Sequence, residues 1–305
     1  MRTDNYISVA FHPGETLKEK LEELGMSYKE FAARTGKPEK TIIDIVEGQS
    51  SITPDMAVAF ENVLGITVET WLNLQGYYDE YQARLKMKNR AKLFSRWTKG
   101  FPISEMLSHG WISEGIGDKV NTLLQYFGVS SPKGWETFYM KGALKVAFRL
   151  PLEGVQDPYA LSAWLRQGEI QAMRTYVEGQ YSPAKLRAVL PLLRAYHDLP
   201  PEDMMEQIRE TLSGAGVKIF FTETLSGISI KGATRWIYGY PCIQMLNKPE
   251  EYENFWFTLF HEIGHILLHG KKDIFLEEIE YSGQRADKEA EADAFATRTL
   301  ARILK

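Results

Sequence analysis

The chain has 305 residues, 44% of them apolar and 25% charged, and a formal net charge of −4, a composition that suits a globular protein of two or three domains with a sizeable core. A single cysteine, Cys242, excludes a disulfide framework and fits a reducing compartment. The start lacks the basic and apolar regions of a signal peptide, and no apolar run approaches the roughly 20 residues of a membrane span, so a cytoplasmic protein without a membrane partner is expected.

Charge is unevenly spread. Residues 1–75 carry 7 Lys/Arg against 12 Asp/Glu, and residues 76–100 carry 7 against 2. A compact basic stretch therefore follows an acidic first domain.

Residues 1–75 read as five short helices. Pro13 and Gly25 bracket the first, with Leu17, Leu21 and Leu24 at core spacing. Ser27 with Glu30 three residues on forms a capping box that opens a helix ending at Gly36. Pro38 suits the first position of a third helix closed by Gly48. Thr53 and Pro54 open a fourth that ends near Gly65, and Thr67 opens a fifth through Trp71 and Leu74. Short helices with a tight turn between the second and third form the helix-turn-helix pattern, which gives a first domain at 1–76.

Residues 77–99 read as a basic, amphipathic linker helix, and 100–212 as a helical middle region with helices over 119–127, 160–178, 183–197 and 201–212. Residues 135–150 show no clean period. The pattern then changes: 217–222, 227–230, 234–238 and 242–246 are short runs with strand character, separated by Gly and Pro. A long helix is expected from about 250 to 269 with Gly270 just past its end, and a last helix from about Arg285. The fold class is mainly α with a smaller α+β part at 213–305.

That last region contains HEIGH at 261–265. On a helix, positions i and i+4 share a face, so His261 and His265 can reach one metal ion. Neutral imidazoles suit Zn2+, whose catalytic sites use three protein ligands and a water. Glu262 lies beside the pair, placed to take a proton from water activated by the metal. The preceding run Phe255, Trp256, Phe257, Leu259 and Phe260 would bury the helix and exclude bulk water. His269 is eight residues from His261, about 12 Å of helix rise, too far to share the ion with both histidines. It reads as a residue behind a ligand, facing the substrate, or capping the helix. The third ligand is expected in KEAEADAFA at Glu289, with Asp293 one turn on to orient a ligand histidine. Glu291, about 200° around that helix from Glu289, should point away.

The stretches GATRWIY, FWFTLFHEIGHILLHGKK and EAEADAFA resemble the ImmA/IrrE family of zinc metallopeptidases. Together with TPDMAVAFENVLGITVETWLNLQ, they make nearly the whole chain similar to long HigA-type antitoxin regulators that carry such a domain behind a Cro/Xre-like helix-turn-helix. The resemblance implies a zincin-like domain in which His261, His265 and Glu289 bind zinc and Glu262 is the catalytic base. Family members usually continue past the final FA with a Leu-Ile-Pro-like segment and a further helix, whereas this sequence reads TRTLARILK and ends. By analogy with gluzincins, an extended substrate would pair with strand 233–238 or 242–246. Arg235 or Tyr238 would then face the oxyanion, although ordinary strand packing accounts for both.

In the helix-turn-helix, the third helix would enter the major groove with Lys37, Lys40 and Thr41 in contact and Gln49 and Ser50 near phosphate. Glu39 and Asp44 lie on or near the same helix. Phosphate neutralisation supplies much of DNA affinity, so an isolated acidic domain should bind weakly, and dimerisation or the basic segment 84–99 would supplement it. The sequence thus leads to an autorepressing, antitoxin-like regulator fused to a zinc endopeptidase. Its expected partners are operator DNA, a toxin or repressor protein, and a second copy of the chain as a homodimer. Two other readings are a non-enzymatic regulator with a structural or sensory metal, and a peptidase whose helix-turn-helix grips a protein.

Overall fold

A computed structural model describes residues 10–113, 119–143, 157–247, 252–269, 275–276 and 284–303. Among the described residues the protein is mainly helical with one small sheet, and it divides into two compact units, Met1–Leu93 and Phe94–Lys305.

The first unit is built from α1 (Pro13–Glu23), α2 (Tyr28–Thr35), α3 (Glu39–Val46), α4 (Pro54–Leu64) and most of α5 (Val68–Thr98). Leu17, Leu21, Phe31, Ile42, Ile45, Phe60 and Trp71 fill its core. Phe60 lies 4.9 Å from Phe31 and 5.7 Å from Trp71 between ring centres. Ser27 caps α2 by accepting from the Glu30 amide at 3.2 Å, but the Glu30 carboxylate bonds Arg34, so only half of the capping box forms. Gly36, at φ +65°, closes α2. Pro38 is the N-cap of α3 and not its first helical residue.

α5 is one helix where the pattern of residues predicts two. An interior glycine costs a helix about 1 kcal/mol, and two side-chain bonds work against a break at Gly76. Gln75 accepts from the Ile52 amide at 2.9 Å and donates to Asp79, one turn on, at 2.9 Å.

The second unit contains α6 (Ile103–Ser108), α7 (Lys119–Phe127), α8 (Pro132–Trp135), a π-helical stretch (Glu136–Ala143), α9 (Pro158–Arg174), α10 (Pro183–Leu193) and α11 (Pro201–Gly214). Then come β1 (Lys218–Thr222), β2 (Gly232–Ile237), β3 (Tyr240–Leu246), α12 (Tyr252–Leu268), β4 (Phe275–Leu276) and α13 (Gln284–Ile303). The sheet order is β1-β3-β2-β4, with β1 parallel to β3 and the other pairs antiparallel. Tyr238 and Gly239, at φ +51° and +86°, make the two-residue turn between β2 and β3, as the twist of a tight hairpin demands.

Helices cover both faces of the sheet, which is why β1 is buried along its whole length. Ile219, Phe221, Ile243 and Met245 join Leu259, Phe260 and Ile263 of α12 and Met204, Ile208 and Leu212 of α11 in one core. On the other face Ala172 of α9 meets Phe220, Ile237 and Cys242. Residues 227–230 form no strand: Gly227 turns at φ +88° and Ile228 bonds back to Leu225. Ile230 is buried without a ladder partner, so burial accounts for its apolar character. Gly270 and residues 144–150 lie outside the described residues.

Candidate metal centre

The apolar face of α12 packs on the sheet, and the face beside it meets α13, so the histidines lie between the two helices. His261 and His265 are 3% and 2% exposed, and Glu262 is fully buried. The aromatic run before them is inward: Phe255, Trp256, Leu259 and Phe260 are all buried.

Nε2 of His261 lies 2.8 Å from Nε2 of His265 and 3.1 Å from Oε2 of Glu289, and Nε2 of His265 lies 3.4 Å from the same oxygen. Ligand atoms about 2.0–2.1 Å from a tetrahedral zinc stand about 3.3 Å from one another. Two imidazole nitrogens and a carboxylate oxygen therefore converge in a triangle of the size zinc takes. The other oxygen of Glu289, Oε1, is buried with no hydrogen-bond partner among the described residues. The donor set fits the ion.

Electrostatics keep two of these groups in the forms a metal requires. Burial pushes His265 down to about 4, so its imidazole is neutral at pH 7 with a lone pair to give. Burial also opposes ionisation of Glu289, but hydrogen bonds with His261 and His265 outweigh it and hold the carboxyl at about 2. Behind the triangle, Nδ1 of His261 is 2.9 Å from Oδ1 of Asp293. Nδ1 of His265 is 2.9 Å from Nδ1 of His269, whose Nε2 is 3.2 Å from Oε2 of Glu291.

Two glycines make this arrangement sterically feasible. A Cβ on Gly264 would stand 3.3 Å from Cα of Ala292 and 3.2 Å from Phe295. Its absence, with Ala292 and Ala296 opposite, lets α13 approach closely enough for Glu289 to meet the histidines. A Cβ on Gly232 of β2 would lie 2.6 Å from Oε1 of Glu262. Thr234, two residues on and on the same strand face, donates its hydroxyl to the Glu262 carbonyl at 3.2 Å. Neither glycine stands out in the sequence, because close approach between distant segments leaves no local pattern.

Residues 17–71 match the family described as Helix-turn-helix, and residues 213–300 match the IrrE N-terminal-like domain of a peptidase family. The uncharacterized helix-turn-helix-type transcriptional regulator YddM of Escherichia coli is 34% identical over 71 residues, 23% of this chain and 76% of that protein. The chain belongs to the helix-turn-helix regulator family and carries an IrrE-like domain. Virulence-associated protein I of Dichelobacter nodosus is 36% identical over 84 residues, 27% of this regulator and 73% of that protein. Among solved structures, Pseudomonas aeruginosa antitoxin HigA with higBA promoter is 30% identical, covering 27% of the regulator and 90% of that chain at a TM-score of 0.26.

In the regulator's helix-turn-helix, Lys40 is exposed on α3 and Thr41 is half-buried beside it. Lys37, in the turn before α3, is ion-paired with Asp55. Gln49 and Ser50 lie beyond the end of α3, Gln49 exposed and bonded to Glu47 at 3.0 Å. The two oxyanion candidates lie away from the histidines. Strand alternation turns Arg235 to the sheet face opposite Thr234 and Glu262. There its guanidinium bonds the Leu165 carbonyl and Gln244 and lies 3.5 Å from Glu169. Tyr238, in the hairpin turn, donates to the sulfur of Met173 on α9 at 3.6 Å. Strand addition at 242–246 is also excluded, because β3 has β1 on one side and β2 on the other. On β2, Ala233 and Thr234 already pair with β4.

Proposed function

We propose that this protein is an autorepressing, antitoxin-like DNA-binding regulator of the cytoplasm whose C-terminal domain is a zinc-dependent endopeptidase. The triangle of His261, His265 and Glu289 carries the peptidase reading, with the buried carboxylate of Glu262 next to the first ligand. His261 and His265 would hold the ion through Nε2 and Glu289 through its carboxylate. Asp293 would fix the His261 ring from behind. Zinc, when bound, supplies a Lewis acid and brings the pKa of water to about 7. Glu262 would take the proton of the attacking water and return it to the leaving amine. The aromatic run of α12 keeps bulk water from the inner side of the site.

The match to a helix-turn-helix family and the relation to a transcriptional regulator support the DNA-binding half. Lys40 and Thr41 on α3 would face bases, with Lys37, Gln49 and Ser50 nearer phosphate. A homodimer would double these contacts and offset the acidic charge of residues 1–75. The peptidase would act on a toxin or repressor protein.

The test is cleavage by the zinc-loaded full chain of the protein encoded by the adjoining reading frame. Glu262→Gln is expected to retain zinc and lose about 100- to 10,000-fold in rate. A variant that cleaves as fast as its parent refutes the enzyme.

One observation favours a second reading, in which the helix-turn-helix grips a protein: residues 1–75 carry 7 Lys/Arg against 12 Asp/Glu, and Lys37 is ion-paired to Asp55. The two separate on binding of the full chain to its own promoter duplex. DNA recognition requires affinity that falls with salt, and in Lys40→Ala, which would lose a base contact, a loss of about 1–3 kcal/mol with relaxed sequence preference. Absence of any salt-dependent shift leaves the protein-binding reading.

A further inference from the structure

We propose that His269 and Glu291 are positioning residues that hold the His265 ring for the metal through a directed chain of hydrogen bonds. The inference rests on the metal reading above and adds residues that touch no metal-facing atom.

His261, His265 and His269 recur every four residues, on one face of α12. The third is too far along to complete the triangle, yet its side chain is 2% exposed. Its two nitrogens have separate neighbours: Nδ1 is 2.9 Å from Nδ1 of His265 and Nε2 is 3.2 Å from Oε2 of Glu291. Glu291 itself is 63% exposed. The chain of contacts thus starts in the buried triangle and ends at the surface of α13.

Proton bookkeeping gives the chain one direction. Nε2 of His265 faces His261 and Glu289, so a metal there takes its lone pair, and the ring's single proton sits on Nδ1. Two neutral imidazole nitrogens at hydrogen-bond distance need one donor and one acceptor. His265 donates, so Nδ1 of His269 accepts and the His269 proton sits on Nε2. That proton points at the Glu291 carboxylate, which can only accept when ionised. Each link has one donor and one acceptor.

The second ligand shows the same principle in shorter form. His261 turns Nδ1 directly onto Asp293 at 2.9 Å. Both imidazoles are therefore held from behind by carboxylates of α13, Asp293 directly and Glu291 through His269. Without a partner for Nδ1, the His265 ring could rotate about its χ2 bond, and its Nε2 would leave the triangle. Such outer contacts contribute about 10- to 100-fold to metal affinity.

The test is zinc affinity of the full chain, measured by competition with a chromophoric chelator, together with the visible spectrum of the cobalt(II)-substituted protein. His269→Leu removes the acceptor and keeps an apolar side chain of similar bulk. It is expected to weaken zinc by about 10- to 100-fold and to shift the cobalt bands. His269→Gln, whose amide oxygen can accept from His265, should stay within a few-fold of the parent, and Glu291→Leu should show a smaller loss than His269→Leu. Parental affinity in His269→Leu overturns the proposal while leaving the metal centre intact. Equal weakening in His269→Leu and His269→Gln also overturns it, since loss of packing then explains both. A parent chain that takes up no zinc overturns both this proposal and the metal reading.

Discussion

Glu262 keeps its carboxylate where a side chain on residue 232 would otherwise stand, with the missing Cβ only 2.6 Å from Oε1. Gly232→Ala should therefore displace the carboxylate without touching a metal ligand. The expected result is unchanged zinc content and a cleavage rate lower by about 100-fold, the scale set by misplacing a reacting group by about 1 Å. A variant as fast as the parent would show that Glu262 has room to spare. That His261 and His265 share a helix face is legible in the sequence from their spacing, as is the one-turn separation of Glu289 and Asp293 on the next helix, whereas the meeting of the two helices is not a matter of spacing. Gly232 is not legible, since its role depends on which strand lies over α12. For Arg235 the sequence left an oxyanion role and ordinary strand packing both open for a related cause: an odd or even position on a strand selects a sheet face only once the register is known. Glu291 reaches His269 although it lies about 200° from Glu289, because a long side chain on a helix surface can reach a residue that helical angle alone would exclude.

At the scale of elements, the site depends on two helices packing close together. Gly264 on α12 faces Ala292 and Phe295 on α13, and Ala292 and Ala296 are fully buried. Gly264→Val is expected to wedge the helices apart and destabilise the second unit by about 1–3 kcal/mol. It should also weaken zinc, because Glu289 lies on the displaced helix; denaturant unfolding and chelator competition measure the two effects. Unchanged stability and affinity would mean that α13 can shift without cost. α7 begins and ends where its periodicity places it, and α11 begins there and runs two residues longer. The single helix α5 was not legible, because the sequence reads as a fifth helix through Leu74 and a separate basic helix from 77, and the Gln75 bonds to Ile52 and Asp79 leave no local pattern. β4, with two residues, is too short to produce a pattern.

At the scale of the whole chain, two units of different composition share one polypeptide. The first four helices of the helix-turn-helix unit were legible from caps and glycines, because they are short and each ends on or beside a glycine at positive φ. Its contacts with DNA are harder to read, since Lys37 is paired with Asp55 and the charge of residues 1–75 opposes phosphate. The metal centre is the more sharply defined of the two sites, and metal analysis of the purified full chain tests it most directly. The account requires about one zinc per chain in the parent and in Glu262→Gln, and its loss in His261→Ala, His265→Ala and Glu289→Ala. A parent without stoichiometric zinc, or ligand variants that retain it, would contradict the account.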